Sequence, residues 1–158
     1  RLILQQINLY MRIGLFTGTF DPFTIGHKSI ADRALPLFDK LIIAVALSNS
    51  KHTAEEIEER VDKIKSIYVG VDNIEVKAYS DLTIDMAKRE CAKFIVRGVR
   101  SVNDFEYERE QADINHRLSG IETILLFSEP NLSSVSSSMV RELESCGKDV
   151  SEFLPKKD

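Results

Sequence analysis

Five short apolar segments alternate along this chain with segments that carry helix signals, and this alternation restricts the fold more than any other feature. The apolar segments are residues 12–16, 40–46, 74–78, 93–96 and 122–127. The helical segments are residues 28–38, the stretch after Thr53, and residues 82–90, 101–118 and 137–146. Strands separated by helices of this length usually pair in parallel through right-handed crossovers. The sequence therefore predicts one α/β domain with a doubly wound, five-stranded parallel sheet.

Two helix starts carry recognisable capping residues. Thr53 is followed three residues later by Glu56, which is the spacing of a capping box. Asp81 directly precedes the segment 82–90 and is predicted to cap that helix through its carboxylate. Both signals place the helix starts just after the strands 40–46 and 74–78.

Charge and cysteine content exclude several classes of protein. The 158 residues include 21 Lys and Arg against 25 Asp and Glu, a net charge of −4. This balance argues against a broad nucleic-acid or membrane surface. No segment approaches the roughly 18 apolar residues of a membrane span. Cys91 and Cys146 are far apart and form no CxxC pair, which predicts reduced thiols in a cytoplasmic protein.

The first ten residues are interpreted apart from the domain. Residues 1–10 precede Met11 and have neither the apolar length nor the cleavage site of a signal peptide. We interpret them as a leader or upstream extension, and residues 11–158 as the single domain.

The segments with unusual composition all follow predicted strands. They are residues 18–27, 48–52, 79–83, 97–100 and 128–138. In an open parallel sheet, ligands bind outside the carboxyl ends of the strands, where the strand order reverses. The sequence thus predicts a ligand site at one edge of the sheet.

The turn at residues 18–27 has the features of a phosphate site. A helix N-terminus presents free N–H groups and a positive dipole end, and Gly18 and Gly26 allow close approach to the main chain. Neither the G-x-G-x-x-G fingerprint nor the Walker pattern is present. Asp21 and Thr24 are interpreted as a turn residue and a helix cap.

Three other features point to anion chemistry, each with a structural alternative. His27 follows Gly26 at the helix start, although a lone histidine is often only a satisfied, partly buried side chain. Arg97 and Arg100 flank Gly98 after an apolar strand, and their planar guanidinium groups suit bidentate phosphate binding. The serine-rich segment 133–138 precedes a helix and is either a second anion site or a flexible loop.

Three motifs together resemble a known family. The sequence GTFDP at residues 18–22, followed by Gly26 and His27, resembles the first signature of the nucleotidyltransferase superfamily. VSSSMVR at residues 135–141 resembles its second signature, ISSS followed by a helix. The pattern IVRGVRSVNDFEYE at residues 95–108 is similar to that of the bacterial phosphopantetheine adenylyltransferases, a likeness that extends over residues 11–155. The resemblance implies a Rossmann-like fold.

The resemblance also implies an activity. An enzyme of this family transfers the adenylyl group of ATP to 4'-phosphopantetheine, giving dephospho-coenzyme A and pyrophosphate. The acceptor phosphate is already an anion, so direct in-line attack needs positioning and charge stabilisation but no covalent intermediate. The resemblance further implies Mg²⁺ carried with ATP, a cytoplasmic homohexamer, and no nucleic-acid or membrane partner.

The resemblance assigns roles to individual residues. It implies catalytic roles for His27, Lys51 and Arg97. It implies ATP contacts for Thr19, Phe20, His27, Gly98, Val99, Arg100, Glu108, Leu132, Ser133, Ser134, Val135, Ser136, Ser137 and Ser138. It implies acceptor contacts for Thr19, Lys51, Thr83 and Arg97, and no metal ligands from the protein.

Chemistry alone leaves alternatives open. Lys51 lies in a polar loop where a solvated lysine is ordinary, and Glu108 shares its helix with other acidic residues that form a solvated face. A sister enzyme acting on nicotinate mononucleotide or glycerol 3-phosphate would carry the same first turn. A non-catalytic nucleotide-binding module is the alternative from another class.

Overall fold

Within residues 11–47 and 52–157, five strands and five helices alternate. The computed structural model describes residues 2–3, 6, 10–47 and 52–157. The strands are β1 (Ile13–Gly18), β2 (Lys40–Ala46), β3 (Ile74–Tyr79), β4 (Phe94–Val99) and β5 (Glu122–Phe127). The helices are α1 (Ile25–Ala34), α2 (Ala54–Ile67), α3 (Thr83–Arg89), α4 (Val102–Ser119) and α5 (Ser137–Ser145). Short 3₁₀ turns occur at Leu35–Leu37, Pro130–Leu132 and Ser151–Phe153.

The strands form one sheet in the order β3-β2-β1-β4-β5, and every pair is parallel. The predicted doubly wound α/β fold is therefore confirmed. The chain moves outward from β1 to β3 and then returns to the other side of β1 with β4. The strand order thus reverses between β1 and β4, which is where a ligand site is expected.

A hydrophobic core covers each face of the sheet. On one face, strand residues such as Phe16, Ile43 and Val96 pack with Ile30 of α1 and Ile64 of α2. On the other face, Leu15, Ile42 and Ile95 pack with Ile84 and Met86 of α3. Because both faces are covered, the central strands are apolar on both sides, which explains the continuous apolar segments.

The boundaries of α1 differ from the prediction of residues 28–38. Thr24 is the N-cap, so the helix begins at Ile25 and includes Gly26 and His27 in its first turn. The helix ends at Ala34 because Pro36 lies in the 3₁₀ turn that follows, where its ring cannot continue the α-helical hydrogen bonds. The phosphate-site glycine and His27 are therefore helical residues and not part of the preceding turn.

Strand β4 is longer than predicted. It continues beyond Val96 because Arg97, Gly98 and Val99 pair with Leu125, Leu126 and Phe127 of β5. Arg97 and Gly98 thus lie inside the strand, and only Arg100 follows it. The prediction that both arginines follow the strand was wrong, because main-chain pairing extends past the apolar segment.

One of the two predicted helix caps is present. Thr53 and Glu56 form the predicted capping box, with N–H···O distances of 3.2 and 2.8 Å. The predicted cap by Asp81 was wrong, because the N-cap of α3 is Leu82. Arg89, at the end of α3, instead donates two hydrogen bonds to the Asp81 carboxylate.

Within the described part of the chain, none of the helices has the length and apolarity to cross a membrane.

Candidate active site

Two adjoining cavities open at the carboxyl ends of β1 and β4, where the strand order reverses. The first has a volume of about 330 Å³ and the second about 300 Å³. The residues that line both are Thr17, Gly18, Thr19, Arg97, Tyr107 and Glu108. Because these residues are shared, a ligand in one cavity lies directly beside a ligand in the other.

Two helix N-termini meet at the first cavity. Gly26, in the first turn of α1, faces the segment before α5 so closely that an added Cβ would lie 3.5 Å from the Val135 carbonyl oxygen. Ser136 caps α5 by accepting a hydrogen bond from the Met139 N–H at 3.1 Å. Two positive dipole ends at one cavity favour an anionic ligand.

His27 is held in one tautomer by the first turn of α1. The Thr24 N–H donates to Nδ1 of His27 at 2.9 Å, and the His27 N–H donates to the Thr24 hydroxyl at 3.3 Å. Since Nδ1 accepts a hydrogen bond, the proton of the neutral imidazole is on Nε2. Sequence analysis did not find this capping pair, because the usual signature has Glu or Gln at the third helical position.

The environment of His27 keeps its ring neutral. Burial, followed by the positive charges of Arg100 and Arg97, lowers the pKa of His27 from 6.5 to about 4. The ring packs edge-on against Phe20, with the centroids 5.1 Å apart. At neutral pH, His27 is therefore an uncharged hydrogen-bond donor through Nε2.

Arg97 and Glu108 form a buried pair at the junction of the two cavities. Arg97 donates from Nε and Nη2 to the two carboxylate oxygens of Glu108, at 2.9 and 2.7 Å. Its Nη1 donates to the carbonyl and hydroxyl oxygens of Thr17. Burial disfavours the charged form, but the hydrogen bonds and charge of Glu108 outweigh it, so the pKa of Arg97 is raised.

These contacts exclude one alternative for Glu108 and limit how Arg97 can bind a phosphate. Glu108 is the buried residue of α4, which rules out the solvated-face alternative for it. Arg97 makes four hydrogen bonds within the protein, and a guanidinium group has only five N–H groups to donate. The bidentate phosphate contact predicted for Arg97 is therefore not available in this arrangement.

The second cavity is lined by hydroxyl and amide groups. Its other lining residues are Ala46, Tyr79, Thr83, Ile95, Gln111, Ala112, Asn115 and Thr123. The Tyr79 and Thr83 hydroxyls lie 2.9 Å apart and share a hydrogen bond. Uncharged groups of this kind suit a ligand with amides and hydroxyls better than a second polyphosphate.

Most of the predicted site residues lie at these cavities. Those lining the first cavity are Thr19, Phe20, His27, Arg97, Gly98, Arg100, Glu108, Leu132, Val135, Ser136 and Ser137, and Thr83 lines the second. Val99, Ser133, Ser134 and Ser138 lie outside the lining of both cavities. Lys51, the remaining catalytic prediction, lies outside the described residues, as do residues 48–50.

Sequence reasoning missed the polar stripe of α4. Glu108, Gln111 and Asn115 follow one another at helical spacing and line the second cavity, and Tyr107 lies beside them. The spacing i, i+3, i+7 is readable from sequence and could have identified this face. Asp104, one turn earlier, lines the first cavity and accepts a hydrogen bond from the Arg100 N–H at 3.1 Å.

Among residues 2–3, 6, 10–47 and 52–157, no three His, Cys, Asp or Glu side chains form a cluster that could hold a metal ion.

The sequence is similar to characterised proteins over most of its length. The profile of the cytidylyltransferase-like family matches residues 15–143. The phosphopantetheine adenylyltransferase of Phocaeicola vulgatus is 52% identical over 145 residues, covering 92% of this chain and 96% of that protein. The phosphopantetheine adenylyltransferase of Bacteroides fragilis is 52% identical over 146 residues, covering 92% and 97%.

Solved structures share the fold. A bifunctional NMN adenylyltransferase/ADP ribose pyrophosphatase from Francisella tularensis superposes with a TM-score of 0.68 at 17% identity. The match covers 94% of this chain and 45% of that one. At this identity the likeness concerns the fold alone.

Proposed function

We infer that this chain, which belongs to the cytidylyltransferase-like family and, within it, to the phosphopantetheine adenylyltransferases, is an adenylyltransferase of coenzyme A biosynthesis. We propose that it transfers the adenylyl group of ATP to 4'-phosphopantetheine and releases pyrophosphate, by direct attack without a covalent intermediate. The observation that carries this proposal is the pair of adjoining cavities with a shared wall at Thr19 and Arg97.

The first cavity is the proposed ATP site. Two helix N-termini, His27 and Arg100 all line one space of about 330 Å³. This concentration of donors suits a triphosphate. The family resemblance also implies ATP contacts for Val99, Ser133, Ser134 and Ser138, and we include them in the proposed site. These residues adjoin the segments that line the cavity.

The second cavity is the proposed acceptor site. The acceptor carries a phosphate at one end and a chain with two amides, and the cavity offers Thr83, Gln111 and Asn115 away from the shared wall. The acceptor phosphate would then lie beside Thr19, next to the α-phosphate of ATP. Arg97 would contribute a single donor there, the one N–H that has no hydrogen bond to Glu108 or Thr17. Lys51, at the end of the segment after β2, is proposed on resemblance to meet the same phosphate.

His27 is proposed to stabilise the transition state as a neutral donor. Attack on the α-phosphate increases negative charge on its oxygens, and a fixed donor directed at those oxygens lowers the barrier. Because Thr24 holds Nδ1, the Nε2–H is already oriented before substrate binds. The acceptor phosphate is an anion at neutral pH, so the site needs no general base.

Magnesium is proposed to enter with ATP as part of the substrate. Mg²⁺ is commonly held by substrate phosphates and water with few protein ligands, which suits a site built mainly from N–H donors.

We propose that the protein acts in the cytoplasm as a homohexamer. The exposed cysteines Cys91 and Cys146 are free thiols, as expected in a reducing compartment. Helix α4 exposes the apolar side chains of Val102, Ile114 and Leu118, an apolar surface that a subunit contact would cover. The molar mass measured by light scattering after size-exclusion chromatography would give the number of subunits directly.

The test is a pyrophosphate-release assay with MgATP and three acceptors in parallel: 4'-phosphopantetheine, nicotinate mononucleotide and glycerol 3-phosphate. A matched set replaces ATP with CTP. We expect release with ATP and 4'-phosphopantetheine alone. Release with another acceptor would contradict the proposed substrate, and no release in any arm would contradict the proposed catalysis.

A further inference from the structure

The turn between β1 and α1 is held by side chains from two other helices. Arg60 of α2 donates from Nη1 to the Thr19 carbonyl oxygen at 3.1 Å. Ser137 of α5 donates to the Pro22 carbonyl oxygen at 2.8 Å, and Arg141 of α5 donates to the Asp21 carbonyl oxygen. Three carbonyl groups of this short turn are therefore fixed from outside it.

Arg60 contacts the turn from the side away from the first cavity. It lines a third cavity of about 380 Å³ together with Asp21 and Arg141, and it does not line either of the two cavities at the site. Its side chain is only 11% exposed, and its Nη2 lies 3.5 Å from a carboxylate oxygen of Asp21. The guanidinium group thus spans from a carbonyl to a carboxylate, which a lysine ammonium cannot do in the same geometry.

The contact with Thr19 determines the direction of the next N–H group. In a trans peptide unit the C=O and N–H bonds point in opposite directions. Since the Thr19 carbonyl accepts a hydrogen bond from Arg60 beside the third cavity, the N–H of Phe20 points away from Arg60. Phe20 lies between the two cavities and lines both the third and the first, so its N–H is directed to the side of the first cavity. Phe20 as a whole residue is 2% exposed, and its ring packs against Phe16 and Phe23, which leaves the main-chain N–H as the group that it can offer to a ligand in the first cavity.

The backbone at Phe20 needs an external restraint. Its φ of 48° lies in the left-handed region, which is unfavourable for a bulky side chain. Such a conformation persists only where the surroundings enforce it. The packing of the ring against Phe16 and Phe23 supplies one restraint, and the hydrogen bond from Arg60 supplies another.

We propose that Arg60 is a positioning residue for ATP. By holding the Thr19 carbonyl, it keeps the Phe20 N–H directed at the phosphates in the first cavity without touching the substrate. This inference rests on the proposed function of that cavity as the ATP site. It predicts that the loss of Arg60 weakens ATP binding selectively, while acceptor binding in the second cavity is retained.

The test compares Arg60→Met with Lys63→Met in the full-length protein. Lys63 lies one turn further along α2, lines the same third cavity and pairs with the exposed Glu59, so it is a matched control for lost charge. The first readout is the dissociation constant of MgATP measured by calorimetry without acceptor. The second is the KM for each substrate in the pyrophosphate-release assay.

We expect Arg60→Met to raise the dissociation constant of MgATP about tenfold, as for loss of one directed hydrogen bond. The KM for 4'-phosphopantetheine should change less than about twofold, and Lys63→Met should bind MgATP like the wild type. Wild-type affinity in Arg60→Met, equal increases in both KM values, or the same effect in Lys63→Met would each overturn the proposal.

Two further variants keep the test decisive. Asp21→Asn removes the charge beside Arg60 but leaves the carbonyl contact, so it should retain MgATP affinity, and a loss equal to that of Arg60→Met would overturn the proposal. If Arg60→Met does not fold, Arg60→Lys should raise the dissociation constant about threefold, and wild-type affinity there would overturn it. Absence of wild-type turnover would contradict the proposed function alone, because MgATP binding is measured without it.

Discussion

Replacement of Glu108 by Gln should destabilise the protein by unpairing Arg97. The Glu108 side chain is 7% exposed and accepts two hydrogen bonds from Arg97, at 2.9 and 2.7 Å. Removing one partner of a fully buried ion pair costs about 3–5 kcal/mol. Arg97 is 30% exposed, and the amide oxygen of Gln retains one contact, so the expected loss here is about 2 kcal/mol.

This loss is large enough to measure by two methods. At about 2–4 °C per kcal/mol for a chain of this size, the melting temperature should fall by about 4–8 °C. Urea unfolding should give a lower midpoint with an unchanged slope. The control is Glu106→Gln, since Glu106 pairs with Arg109 on the surface with both side chains 59% exposed, and its expected effect is below about 0.5 kcal/mol.

A double-mutant cycle separates the interaction energy between Glu108 and Arg97 from the other effects of each substitution. Arg97→Met alone leaves the Glu108 carboxylate buried without its partner, whereas the double variant removes both charges. The coupling energy between the two positions should therefore be about 2 kcal/mol, with the double variant more stable than the sum of the single losses implies. A coupling energy below about 0.5 kcal/mol would refute the argument that Glu108 and Arg97 stabilise each other.

Four further predictions concern other parts of the site and the core. Gly14→Ala should lower the unfolding free energy by about 1–3 kcal/mol in urea, because the new Cβ would lie 2.7 Å from the Phe38 ring; an unchanged midpoint would contradict this. The His27 ring should titrate by NMR with a pKa of about 4, and a midpoint near 6.5 would contradict the burial argument. Because the folded state then binds fewer protons than the unfolded state, the wild type should lose stability relative to His27→Gln as the pH falls from 6.5 to 4. Thr83→Val should raise the KM for 4'-phosphopantetheine about threefold or more and leave the KM for ATP unchanged. A change in the KM for ATP alone would contradict the assignment of the second cavity to the acceptor.

The strands were predictable where the apolar pattern reaches the strand end. β2 and β5 were predicted with their observed bounds, because they are apolar up to their last residues. β1 and β4 were predicted too short, since Thr17 and Arg97 interrupt the apolar pattern near the carboxyl ends. Both residues remain paired in the sheet, and Thr17 is only 5% exposed. The pattern therefore failed at the site, where polar side chains replace apolar ones without ending the strand.

The positions of the site residues were predictable, but their partners were not. Topology alone brings the ends of β1 and β4 together, so the sequence could place His27, Arg97 and Arg100 at one edge. It could not show that Glu108 reaches Arg97 from α4, because that contact depends on the rotation of the helix over the sheet. The Thr24–His27 capping pair was missed for a chemical reason, since a histidine acceptor is not part of the usual signature.

The charge available to a ligand differs from the charge that the sequence suggests. Arg97 and Arg100 both lie at the first cavity, but Arg97 is neutralised by Glu108 and its donors are directed into the protein. His27 is uncharged because of its burial and these same arginines. Arg100 in turn lies 3.4 Å from the Asp104 carboxylate, which lines the same cavity. Among the residues that line this cavity, attraction of a polyphosphate must then come mainly from main-chain N–H groups, including the two helix N-termini, with a smaller part from the half-exposed Arg100. Main-chain N–H groups recognise a ligand by the positions of its acceptor atoms rather than by its net charge. The side chains that fix the backbone are therefore as important for binding as those that face the ligand.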